Sequence, residues 1–202
     1  MAKSNRMVAP KLTPQEKAFK RVMTISLIDG WSIILISALS LLLTAIFSNL
    51  LGIAISILIL AAGIMELRGR SRLSRRNASG GMGLLIRSQL FLLAVILVYC
   101  ARSVGSFDAD YLRDEVIPKM RELFLALLGI NFDEILQQTG LAVADLVPLA
   151  HKAFLLLYGI VAGVSLLYQG GLALYYRGKI PAITSALESV PRPRVSHLPP
   201  SV

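Results

Sequence analysis

The chain has 202 residues, 55% of them hydrophobic and 16% charged, with 21 Lys and Arg against 12 Asp and Glu for a formal net charge of +9. Soluble domains are typically about 45–50% apolar and about 25% charged, so this composition, with a mean hydropathy of +0.67, excludes an ordinary water-soluble domain. A single cysteine excludes a disulfide framework and a cysteine-rich zinc site.

Residues 1–26 form a basic leader containing Pro10 and Pro14. Thr13 and Glu16 fit a capping box with Pro14 at the first helical position, which predicts a short interfacial helix from Thr13. A hydrocarbon core about 30 Å thick needs about 20 apolar helical residues, and four blocks meet that length. The first is Leu27–Phe47, interrupted only by Asp29. The second is Gly52–Leu67, extended back through Leu50 and Leu51 and ending on Glu66. The third is Leu84–Val104, with Arg87 in its first turn. The fourth is Ala153–Tyr176, begun at Leu146 with Asp145 as N-cap and Pro148 in the first turn. Backbone polar groups cannot stay unpaired in lipid, and no block alternates as a barrel strand does, so all four are expected to be helices. The first block outruns the roughly 7–15 apolar residues of a signal peptide and lacks a small-residue cleavage site. The fold class expected is therefore all-α: a polytopic membrane protein with four transmembrane helices in a bundle. Spans one to three occupy residues 27–104 with an Arg-rich loop at 68–81, and the fourth occupies 151–178.

Orientation follows from the cations. The leader, the loop Arg68–Arg76 with Arg87, and the tail with Arg177, Lys179, Arg192 and Arg194 hold sixteen of the 21 Lys and Arg. With an even number of spans these regions share one side, so both termini are expected to be cytoplasmic in an inner or plasma membrane. The run RGRSRLSRR lies within a turn of a span, and anionic lipid headgroups account for it at about 1 kcal/mol per cation near the surface; nucleic acid is the weaker alternative.

The segment 105–150 is expected outside. There Tyr111, Leu112, Val116, Met120, Leu123, Phe124 and Leu127 recur at helical spacing opposite Asp114, Glu115, Lys119 and Glu122. Pro118 predicts one kink or a break, and Asn131 with Glu134 a second capped helix over Phe132–Gln138. About 45 residues hold too small a core to stand alone, so the segment roofs the bundle, lies on the membrane, or offers a partner surface. The tail 179–202, rich in proline, is expected to be disordered beyond about Val190.

Small and weakly polar residues mark helix-packing faces in lipid. In the first span these are Ser26, Asp29, Ile33, Ser37, Ser40 and Thr44; in the second, Gly52, Ser56, Ile59, Gly63 and Glu66; in the fourth, Gly159, Gly163, Leu166, Gly170 and Ala173. The simplest expectation is that these faces meet within one chain, with the GxxxG step Gly159–Gly163 as an oligomer seam in the alternative. The third span shows no such face and is expected at the periphery. Folding the first two spans about Ser48–Asn49 puts Asp29 and Glu66 in one layer near Arg87. That cluster reads either as ion pairs setting hairpin depth or as a proton-handling or ligand site.

No Asp, Glu, Lys, Arg or His occurs between Trp31 and Met65, between Ser88 and Ala101, or between Ala153 and Tyr176. Coupled transporters usually need one at mid-membrane. Gln169, beside Gly170 and Gly171, is the carboxamide read as deep in a span, and those glycines serve either close packing or an unwound substrate site. His151 and His197 form no metal motif, Cys100 reads as a packing residue, and Gly80–Gly83 lacks the lysine of a phosphate loop. Trp31, Tyr99, Tyr158, Tyr175 and Tyr176 read as interfacial aromatics. No catalytic residue, cofactor or metal is expected. The functional expectation is a non-enzymatic accessory or scaffold protein contacting another membrane protein or itself; the alternative is a small oligomeric transporter or channel.

Overall fold

The computed structural model describes residues 13–46 and 49–189, and every element in them is helical. The leader up to residue 12, Phe47 with Ser48 of the first hairpin turn, and the tail from residue 190 lie outside the described residues. We label the helices α1 (Pro14–Ile46), α2 (Leu50–Ser74), α3 (Ala78–Gly105), α4 (Ile117–Leu128), α5 (Phe132–Thr139), α6 (Val143–Ser165) and α7 (Gly171–Ser189). A π-helical turn, Leu166–Gly170, joins α6 to α7, so Val143–Ser189 runs as one rod. Four helices are long and apolar enough to cross a membrane: α1, α2, α3 and this rod.

The capping box at Thr13 forms: Glu16 Oε2 accepts from the Thr13 amide at 2.7 Å, and Thr13 Oγ1 accepts from the Glu16 amide at 3.2 Å. It starts no separate interfacial helix, because nothing between Lys17 and Leu27 breaks the backbone ladder and α1 continues unbroken into the apolar block. At the far end of α1, Asn49 caps α2 through Oδ1 to the Gly52 amide at 3.0 Å. The rod likewise begins earlier than expected. Ala142 is the N-cap, and Asp145, three residues in, accepts from the Ala142 amide at 2.9 Å instead of capping the helix itself. At its other end the rod continues past Tyr176 to Ser189 and includes Pro181. Residues 179–189, the first part of the tail, are therefore helical; the disorder expected beyond about Val190 lies outside the described residues.

The chain forms two compact units, one of residues up to 92 together with those from 169, the other of residues 93–168. In the first unit, polarity is reversed relative to a soluble protein. Ser26, Asp29, Ser37, Ser56, Glu66, Ser88 and Gln89 are buried, while Ile36 and Leu174 are 68% and 69% exposed. Water would oppose that arrangement, whereas lipid tails accept the leucines without cost and leave only the polar groups to be gathered inside. The expected α1 and α2 faces pack together, and Ser40 and Ser56 hydroxyls meet at 2.9 Å.

Helix α2 is clamped on both sides by glycines. A Cβ on Gly63 would lie 3.2 Å from the Gly30 carbonyl oxygen, and one on Gly81 would lie 3.0 Å from that of Gly69. Backbones at that distance leave no room for a methyl group. The third span, expected at the periphery, is in fact the best covered: 39% of its apolar window is buried inside the chain, against 28% for α1 and 22% for α2. Its packing face mixes Gly81 and Ser88 with the larger Met82, Leu85, Gln89 and Leu92, so it does not register as a run of small residues. Below the polar layer, Val22, Leu73, Met82, Leu85, Tyr176 and Ile183 form the apolar core of this unit.

In the second unit, the kink expected at Pro118 takes the form of a π-helical turn, Leu112–Val116, in which the Ile117 amide reaches back to the Leu112 carbonyl. Proline has no amide hydrogen and its ring crowds the preceding turn, and the wider turn absorbs both defects. Asn131 caps α5, but through the Asp133 amide at 3.1 Å, without the reciprocal Glu134 bond of a capping box. Ile117, Phe132 and Leu136 make a small core with Phe124, Val143 and Leu146, and Arg121 pairs with Asp133 at 2.8 Å. Met120, Leu123 and Leu127 of the expected apolar face stay exposed. Phe107 stacks on His151 at 4.5 Å, and Tyr99 meets Tyr158 edge-on at 6.0 Å.

Two outcomes follow. Gly63→Leu or Gly81→Leu should destabilise the folded chain by about 1–3 kcal/mol through overpacking, read as the unfolding midpoint in mixed micelles. Gly178→Ala, at an open helical position, should be neutral or stabilising by up to about 1 kcal/mol. The second outcome concerns acid. The Arg113 guanidinium holds the Asp114 carboxyl below its usual range. A lowered carboxylate stabilises the fold above its unfolded-state pKa, and that support disappears as pH falls through the folded value. Amide protection factors over residues 109–116, corrected for intrinsic exchange, should therefore fall on acidification below the ordinary aspartate range and stay flat above it.

Candidate functional site

The buried side chains converge on one polar node. Asp29 lies on the inner face of α1, where Val22, Ser26, Ile33 and Ser37 are also buried at helical spacing. Glu66 lies on the face of α2 shared by Ser56, Gly63 and Leu73. Fully buried Gln89 on α3 stands between them: its Nε2 donates to Asp29 Oδ2 at 2.6 Å and also to Glu66 Oε2. The Ser88 hydroxyl is 2.7 Å from Glu66 Oε2 and 2.9 Å from its own helix's Leu85 carbonyl. From α7, the buried Tyr176 hydroxyl donates to Glu66 Oε1 at 2.7 Å. Four helices thus contribute to one hydrogen-bonded set, in which Glu66 accepts from three side chains. Buried polar groups persist only when partnered, and this carboxylate is satisfied on both oxygens.

The structure brings together two of the three residues expected in the carboxylate layer. Asp29 and Glu66 share the Gln89 amide, whereas Arg87 is exposed and makes no ion pair with a described residue. Successive helical residues are about 100° apart, so turning Ser88 and Gln89 toward the carboxylates swings Arg87 outward. The expected Asp29–Glu66–Arg87 ion-pair cluster is therefore replaced by a node of neutral donors. Tyr176, expected at an aromatic belt, is a buried donor; its neighbour Tyr175 is half-buried, with Lys179 5.6 Å over its ring and no partner for its hydroxyl among the described residues. Ser88, Gln89 and Tyr176 escaped the sequence reading. The available signal was the Ser-Gln pair interrupting an otherwise apolar third span.

Gln169 is buried in the π-helical turn, and its Oε1 has no partner among the described residues, as is also true of Gln89 Oε1. Gly159, Gly163, Gly170 and Gly171 do not make the intrachain contacts expected of them: a Cβ on any of the four would find no atom within 4 Å. The rod's apolar window is only 6% buried.

Ser88 is engaged with Glu66, and no group of three or more His, Cys, Asp or Glu side chains gathers among the described residues. Comparison with protein-family models, with curated proteins and with solved structures gives no match to this chain. The class that sequence and structure define together is an all-helical protein with four helices fit to span a membrane.

Removing the Tyr176 hydroxyl with Tyr176→Phe should cost about 1–3 kcal/mol in the micellar unfolding midpoint, because it strips a donor from a buried carboxylate. Tyr175→Phe, which removes a hydroxyl without a described partner, should leave the midpoint unchanged or raise it.

Proposed function

We propose that this chain is a non-enzymatic accessory or scaffold protein of an inner or plasma membrane, with both termini cytoplasmic, acting through helix contacts along its fourth span. The observation that carries this reading is a contrast among glycines. Gly30, Gly63, Gly69 and Gly81 are each crowded by a neighbouring helix, whereas Gly159 and Gly163 face open space on a rod whose apolar window is 6% buried. A GxxxG step turned to lipid gains nothing there, but it admits a second helix at backbone distance. The occupant is a transmembrane helix, either from another membrane protein or from a second copy of this chain. The cytoplasmic orientation rests on the cation distribution.

A second reading, a small oligomeric transporter or channel, draws support from the unpartnered Gln169 Oε1 within a π-helical turn flanked by Gly170 and Gly171. Such turns recur at functional positions.

Cross-linking in native membranes should trap the chain in a complex that Gly159→Ile together with Gly163→Ile dissolves while expression and thermal midpoint hold. Recovery of monomer alone from wild-type membranes would overturn the scaffold reading. Solute flux in liposomes that disappears with Gln169→Leu would replace it with the transport reading. Cysteines substituted for Arg72 and for Asp108 should be labelled from opposite sides of intact cells, Asp108 from outside; the reverse pattern would invert the topology.

A further inference from the structure

Where the end of α2 meets the start of α3, Arg72, Ser79, Gly80, Gly83, Leu84 and Arg87 line a cavity of about 280 Å³. The two guanidiniums come from different helices, and neither makes an ion pair with a described residue. No acid lines the cavity, and the sequence contains no Asp or Glu between Glu66 and Asp108. Glu66 itself is buried and already engaged by Ser88, Gln89 and Tyr176. Nearby Arg70 spends its Nε on the Met23 carbonyl at 3.2 Å. The positive charge of Arg72 and Arg87 is therefore not met by an ion pair among the described residues.

The cavity also has a shaped wall. A Cβ on Gly83 would meet no atom within 4 Å, so any larger side chain at this position would project into free space along the lining. The Ser79 hydroxyl adds a neutral donor to the two planar forks. Guanidiniums bind phosphate oxygens in paired, charge-assisted hydrogen bonds, and two forks with a hydroxyl suit that geometry. The cavity opens beside helices that are fit to span a membrane. Leu84 forms part of its lining, and Leu90, one turn beyond Arg87 on α3, is 50% exposed. A headgroup in the cavity would thus have an apolar lane for its acyl chain directly below.

We propose that this cavity is a phosphate-binding site and that its occupant is the headgroup of an anionic phospholipid. It goes beyond general attraction of the arginine run to a charged leaflet, because it assigns the contact to one pocket and two residues.

The test uses the full chain in micelles, with lipid retention measured by native mass spectrometry for phosphatidylglycerol and phosphatidylcholine of matched acyl chains, and inorganic phosphate as competitor. The wild type should prefer phosphatidylglycerol by about tenfold, and Arg72→Gln with Arg87→Gln should abolish that preference. Arg68→Gln with Arg75→Gln removes the same charge outside the cavity and should preserve it. Gly83→Leu alters no charge and should abolish the preference with the thermal midpoint unchanged, which a diffuse field would not do. Equal loss in both arginine pairs, or retention in Gly83→Leu, overturns the pocket. Inorganic phosphate that stabilises the wild type and displaces the lipid at equal concentration would keep the phosphate chemistry but overturn the lipid as occupant.

Discussion

Glu66 organises the membrane-fit half of this chain. It is fully buried on α2 and takes hydrogen bonds from Ser88 and Gln89 on α3 and from Tyr176 on α7, while Gln89 carries the connection on to Asp29 of α1. In lipid, apolar contact between helices earns little, because the tails are as apolar as leucine. A buried carboxylate is different, since leaving it without donors is costly in any low-dielectric surrounding. Four helices held to one acceptor set cannot slide or rotate independently without exposing it. The node therefore fixes register among helices whose leucine surfaces would tolerate many arrangements.

The glycine contacts supply what the node cannot, which is distance. Gly30 against Gly63 and Gly69 against Gly81 bring backbones close enough on both sides of α2 for short polar side chains to bridge. The same constraint makes the fourth span stand out. Its glycines have the composition of a packing face, yet a Cβ on Gly159, Gly163, Gly170 or Gly171 would meet no atom within 4 Å. The scaffold reading and the arginine cavity place two different surfaces in contact with partners: one along the membrane interior, the other at its boundary.

Much of this was legible from residue order. The four apolar blocks, the Thr13–Glu16 cap, the α1 and α2 packing faces and the meeting of Asp29 with Glu66 all follow from local spacing and one hairpin fold. The errors share a cause. The third span looks peripheral because its packing face mixes Gly81 and Ser88 with the larger Met82, Leu85, Gln89 and Leu92, and a search for small residues alone passes over the large ones that interdigitate. Arg87 was grouped with the carboxylates because it is near them in depth; depth along a helix says nothing about azimuth until a neighbouring residue claims the inner face. Tyr176 looked like a belt aromatic for the same reason.

By itself the sequence determined the secondary structure: four runs of leucine and isoleucine form helices long and apolar enough to cross a membrane. Tertiary structure decided which polar side chains meet and which glycines are covered. Those depend on the rotation of each helix about its own axis, a degree of freedom that apolar runs leave nearly free. Here it was set only when Gln89 and Tyr176 turned inward to satisfy Glu66.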